Sequence, residues 1–246
     1  MALISIGSIK DFSVEPTPEA PGAISEVDTF GALAEVSTET PANTYRFRES
    51  TAPRGLAVAS IRLESGFQSF LARLFHRTSD IYFVAWCWDL SGQPISLYPP
   101  TGTGADKCLI PMRGGDVREF MGAGTVLFPA RRVTAGIGAR IQVWESKQGT
   151  RDFGSTMAAV SEQIQQSELN SWLTLIGSMV DPTAATIALV EEAALKLGKV
   201  IGTALKAASD DYVDFYEGYF PASAPWTAGK ETYKGIDSEL ELSRFT

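Results

Sequence analysis

Apolar and polar positions alternate at the start of the chain. Leu3, Ile4, Ile6, Ile9, Phe12 and Val14 fall among polar residues in the pattern of an opening strand. Pro16, Pro18 and Pro21 then interrupt any ladder, and residues 15–43 make an acidic arm rich in Pro, Thr, Ser and Ala. Leu56–Leu63 predicts the next strand. Phe67, Phe70, Leu71, Leu74 and Phe75 follow at helical spacing and predict a short helix packed on the sheet. Asp80–Leu90 is apolar at both odd and even positions, so it predicts a central strand covered on both faces. The turn Ser91-Gly-Gln-Pro94 leads to a hairpin partner at 95–98. Further strands are predicted at 107–112, 117–120, 125–128 and 138–145, the last with Ala139, Ile141 and Val143 opposed to Arg140, Gln142 and Trp144.

From 154 to 208 the period changes to that of helices, in two segments divided at Asp181-Pro182, an N-cap followed by a proline at the first helical position. Met157, Val160, Ile164, Trp172, Leu175, Ile176 and Met179 line the first segment. In the second, Val190, Ala194, Leu197, Ile201 and Ala204 recur at four- and three-residue steps, a coiled-coil-like seam and the expected interface. Gly198 and Gly202 permit a close approach along that helix. Strands resume at Tyr212–Tyr216 and Glu239–Phe245. The expected fold is therefore mainly β: a sandwich of about eight strands, one domain over 1–246, with an antiparallel helical hairpin inserted at 154–208.

Composition narrows the function. The net charge is −8, yet residues 51–151 carry 12 basic and 7 acidic side chains while residues 152–246 carry 6 and 14. Overall acidity argues against nucleic-acid binding, and the blocks could complement one another within or between copies. No leading basic segment followed by a long apolar stretch marks export and no uncharged run spans a bilayer, so a cytoplasmic location is the default expectation, with leaderless export as the alternative. Cys87 and Cys108 lie in apolar runs and read as buried small hydrophobes.

No catalytic spacing emerges. His76 is the one histidine, next to Phe75 and Arg77, and no nucleophile elbow accompanies it. The loop Thr101-Gly-Thr-Gly-Ala-Asp-Lys107 lacks the ending and the following helix of a phosphate cradle. The acidic strand ends Asp80, Asp89, Glu145, Asp152, Asp210 and Asp211 could supply oxygen ligands for calcium if the fold gathers them; no other cofactor is expected. Tyr212, Phe215, Tyr216, Tyr219, Phe220 and Trp226 form an aromatic group suited to a core or an interface.

The strand texture of Asp80-Ile-Tyr-Phe-Val84, Ile141-Gln-Val-Trp-Glu-Ser146 and Asp210-Asp-Tyr-Val-Asp-Phe215 resembles C2-like β-sandwich domains. The resemblance implies an eight-stranded sandwich whose edge loops bind calcium or membranes. Two expectations result. The first is a non-enzymatic module that associates with itself or another protein through arm and hairpin. The second is a calcium- or lipid-responsive C2-like protein that binds a membrane or forms a pore.

Overall fold

The computed structural model describes residues 3–6, 14–16, 45–67, 78–100, 102–147, 153–179, 184–208 and 210–246. The arm beyond residues 15–16, the helix expected near Phe70, His76, Asp152 and the Asp181-Pro182 junction lie outside them.

One sheet is built around two long strands, β5 (Ser79–Trp88) and β10 (Gly136–Ser146), antiparallel from Asp80↔Ser146 to Trp88↔Gly138. Beyond β10 lies β11 (Asp211–Pro221), and β1 (Leu3–Ile6) adds to β11 in parallel at the edge. On the other side of β5 sit β6 (Ser96–Tyr98) and β7 (Ile110–Met112). The second sheet centres on β4 (Arg54–Leu63) and β13 (Ser238–Phe245), flanked by β12 (Gly229–Lys234) at one edge. β8 (Val117–Glu119) and β9 (Thr125–Arg131) share the other edge. β2 (Val14–Pro16) and β3 (Tyr45–Phe47) pair as a separate ribbon.

The two sheets pack face to face. Leu56, Val58, Ile61 and Leu63 of β4 meet Ile81, Phe83, Ala85 and Cys87 of β5 and Ala139, Ile141 and Val143 of β10, with Leu240 and Leu242 closing the layer. This is the sandwich that the period-2 pattern predicts. Ser96 Oγ donates to the Leu127 carbonyl at 2.6 Å and ties β6 to β9 across the gap between the sheets.

The helices form a third layer. α2 (Phe153–Gln165) and α3 (Glu168–Ser178) together run alongside α4 (Ala184–Ala207); α1 is one turn, Ala105–Cys108. Tyr82, Val84, Trp86, Trp88 and Trp144 of the first sheet pack against Phe153, Met157, Val160, Leu173, Ile176, Val190, Ala194, Leu197 and Ile201. The double-sided apolar character of β5 is thereby explained: one face meets the second sheet, the other the helices. The helices connect β10 to β11, neighbours in the sheet, so the hairpin occupies the position of a strand-to-strand turn.

Several expectations need correction. The first helical segment is two helices, because Ser167 takes an extended conformation and its Oγ donates to the Ile164 carbonyl at 2.6 Å. Asn170 Nδ2 also donates to that carbonyl at 3.2 Å, satisfying the end of α2. The strand expected from Lys107 begins only at Ile110, after the helical turn α1. β12 was not expected. The face of β10 bearing Arg140, Gln142 and Trp144 is buried too: Arg140 pairs with Glu217 of β11, and Gln142 Nε2 donates to the Gly198 carbonyl of α4 at 3.1 Å.

Candidate functional site

The acidic strand ends do not form one cluster. Asp80, Glu145, Asp210 and Asp211 lie at one end of the first sheet, but Asp89 lies past the far end of β5, a strand about 30 Å long. There Asp89 accepts from Arg131 Nη2 and Ser91 Oγ at 3.0 and 2.8 Å and from Thr134 N at 3.1 Å. At the near end, Lys147 Nζ stands between Glu145 (2.7 Å) and Asp211 (3.1 Å). Burial lowers the Lys147 pKa, but its hydrogen bonds to Glu145 and Asp211 outweigh that and raise it. Asp210 accepts from the Tyr82 hydroxyl at 2.5 Å and from Lys147 N at 3.2 Å. Among the described residues no three His, Cys, Asp or Glu side chains converge where a metal ion could be held. The calcium constellation therefore loses Asp89 to geometry, and Glu145, Asp210 and Asp211 are already occupied by donors.

The expected interface seam is also spent internally. Val190, Ala194, Leu197 and Ile201 are buried and Ala204 is half-buried, all against the first sheet and its helices. Gly198 lies over Trp86, where an added Cβ would stand 3.3 Å from Cζ2 of the indole; Gly202 lies over Trp144 at a roomier 3.9 Å. The glycine pair thus lets the helix approach two tryptophans of the sheet.

Buried Asp214 was missed by the sequence reading. It accepts from Ile236 N, Asp237 N, Ser238 N and Ser238 Oγ at 3.1, 3.0, 2.6 and 2.7 Å, and so holds the β12–β13 turn. Burial and then the Asp214 charge push the Asp237 carboxyl above its ordinary pKa. Cys87 and Cys108 are free thiols in the two cores, and burial pushes them up to about 12 and about 11 respectively. The aromatic group near the C-terminus is mostly core, with Tyr212 its most exposed member.

A different surface feature stands out on the β8–β9 edge. Between the two strands the chain makes the turn Phe120–Gly124. Phe120 N donates to the Ala59 carbonyl at 2.8 Å, and the Phe120 ring turns inward onto Phe83 with centroids 6.2 Å apart. Gly124 N donates to the Met121 carbonyl at 3.1 Å, and Gly122 and Gly124 take φ values of 66° and 101° that favour glycine. The anchored turn holds Met121 outward at 95% exposure, with Val117 and Val126 exposed on either side. Arg62, opposite Val117 in the register, and Arg118 bring positive charge beside this patch; Glu119 and Asp116 bring negative charge. No periodicity marks a lone Met beside glycines, so sequence reasoning had no signal for it.

The fold so described is mainly β with a helical layer. Neither a family model nor a curated protein matches the chain. Among solved structures, human GIVD cytosolic phospholipase A2, in complex with methyl gamma-linolenyl fluorophosphonate and terbium chloride, aligns with 81% of this chain at 9% identity and a TM-score of 0.31. The alignment takes in 18% of that chain. Among the described residues no helix is long and apolar enough to cross a membrane.

Proposed function

We propose that this protein is a non-enzymatic binding module that docks reversibly on a lipid surface through the Phe120–Gly124 turn. The observation that carries the reading is Met121, an apolar side chain held almost fully in water by a turn anchored on both sides. Exposed single hydrophobes are ordinary, but one fixed outward by an anchored turn, with exposed valines on the two flanking strands, supports a docking role. Burying Met121 contributes about 1.5–3 kcal/mol, while Asp116 and Glu119 offset what Arg62 and Arg118 would add near an anionic surface. That is less than the marginal, reversible hold of a single acyl chain, so a second anchor or a high lipid density completes it.

The test is flotation of the full chain with vesicles of phosphatidylcholine alone or with phosphatidylserine. Binding is expected on both kinds of vesicle, nearly independent of salt, unchanged by calcium and lowered about tenfold by Met121→Glu. Equal flotation by the wild type and Met121→Glu would refute the assignment, as would no flotation at all.

Self-association is a second reading, favoured by Leu175, Met179, Leu195 and Val200, which stay exposed on the helical layer. Light scattering over a hundred-fold concentration range tests it; a constant monomer mass removes it.

A further inference from the structure

A cleft of about 310 Å³ opens where the β11–β12 connection folds back against the start of β4, lined among others by Arg48, Thr51, Arg54, Ser223 and Trp226. Its wall contains an unusual charge. Arg54 is 4% exposed, yet among the described residues no carboxylate pairs with it. Its Nη1 donates to the Pro221 carbonyl at 2.7 Å, and its Nη2 to the carbonyls of Ala222 and of Ala224, the latter at 2.8 Å. The guanidinium also lies 5.1 Å from the Trp226 ring centroid.

A buried cation ordinarily has an anion, since carbonyl dipoles compensate only part of a full charge. Among the described residues the other deeply buried arginine follows that rule, Arg140 meeting Glu217. Three of the five N–H donors of Arg54 are used, which leaves two. Desolvation lowers the Arg54 pKa, as expected of a cation that lacks a countercharge. Around the cleft, Arg48 adds a second positive charge and Glu49 a negative one, and Thr51 and Ser223 add hydroxyl donors. The indole of Trp226 is fixed by its Nε1 donating to the Phe245 carbonyl at 3.0 Å.

We infer that this cleft binds a small oxyanion-bearing ligand, a phosphate monoester or carboxylate, with its charge on Arg54 and Arg48 and its organic body on Trp226. The volume corresponds to about ten waters, ample for a charged group with a ring attached. The oxyanion could belong to a free metabolite or to a lipid headgroup. The site lies apart from the Met121 turn in the chain and does not depend on the membrane reading.

Calorimetric titration of the full chain with phenyl phosphate, benzoate and inorganic phosphate tests the inference. Phenyl phosphate or benzoate is expected to bind saturably at one site, and inorganic phosphate at least tenfold more weakly because it lacks the ring. Arg54→Met would also release the carbonyls that Arg54 gathers, so two variants at exposed cleft positions carry the test. Ser223→Trp fills the cleft and Arg48→Glu reverses its charge; each should weaken binding at least tenfold, while Met121→Glu leaves it unchanged. Competition by phosphatidic acid vesicles against the bound aromatic probe would identify a lipid source; its absence, a soluble one. No saturable binding of either aromatic probe up to about 10 mM would overturn the inference. So would binding indifferent to both cleft variants.

Discussion

Asp214 offers the sharpest test of how the sandwich is held together. Its carboxylate, 1% exposed, accepts four hydrogen bonds, three of them from consecutive backbone amides at 236–238. Ser238 Oγ is also within 2.8 Å of the Tyr216 hydroxyl, so the network joins the two sheets. A hydrogen bond to a charged acceptor contributes about 1.5–3 kcal/mol, and four bonds to one group do not add fully. Water can reach some of the freed donors at the turn but not Ser238, which is fully buried. Asp214→Ala should therefore lower stability by about 3–5 kcal/mol, and Asp214→Asn, which keeps one acceptor oxygen, by about 2 kcal/mol. Urea denaturation measures both.

Two further readouts separate this network from generic core damage. A Cβ on Gly235 would overlap the Asp214 carboxylate, so Gly235→Ala should destabilise the wild type but be nearly neutral in Asp214→Ala. The raised Asp237 pKa should also fall once the neighbouring charge is gone, as carboxyl titration by NMR would show. A loss below about 1 kcal/mol for Asp214→Ala, or additive effects in the double variant, would refute the reasoning.

Gly202→Ala should stabilise by about 0.5–1 kcal/mol through helix propensity, whereas Gly198→Val, forced against Trp86, should destabilise by about 1–3 kcal/mol; the reverse order in urea denaturation would refute the packing account. The Tyr82 phenol is pushed well above its ordinary 10.0, first by burial and then by its bond to Asp210. The unfolded chain thus loses that proton first as pH rises, so stability is intact below about pH 10 and declines above it. Tyr82→Phe should flatten the alkaline decline by about one proton, read as the urea midpoint against pH; an unchanged slope counts against it. Both thiols, raised by burial, should resist Ellman's reagent until the protein unfolds, and prompt reaction of a full equivalent would contradict their placement.

The legible parts of the fold were those where one physical demand dominated. Residues 81–88 are apolar at both parities because two layers cover β5, and that double demand was visible without knowing what the layers were. The helical period at 154–208 was equally plain. By contrast, β12 is an edge strand whose Lys230, Glu231, Thr232 and Lys234 meet water, so no alternation betrays it. Edge strands are kept charged to prevent pairing with other chains, and the same charge hides them from pattern reading. The partners of Arg140 and Gln142, Glu217 and the Gly198 carbonyl, are remote in sequence, so the alternation along β10 carried no sign that its polar face is buried. The seam on α4 was seen but assigned to the wrong neighbour, since periodicity reveals an apolar face and not what covers it.

This arrangement bears on where function resides. The first sheet spends both faces on packing, and its buried charges Arg140, Asp210 and Asp214 are engaged with internal partners. Altering any of them perturbs the scaffold before it perturbs a ligand. The second sheet faces water with ion pairs such as Lys230–Glu241 and Lys234–Glu239, worth little to stability and well suited to solubility. Besides the exposed apolar residues of the helical layer, two connections remain open to a partner: the Met121 turn between β8 and β9, and the loop that folds around Arg54 between β11 and β12. The first is held by Phe120 N on the Ala59 carbonyl of β4 and the second by Ala222 N on the Ala135 carbonyl and by the Arg54 side chain, so recognition there would cost little ordering. Because the two loops lie on a common rigid sandwich but at different connections, the lipid and oxyanion proposals can be tested separately, by Met121→Glu and Ser223→Trp.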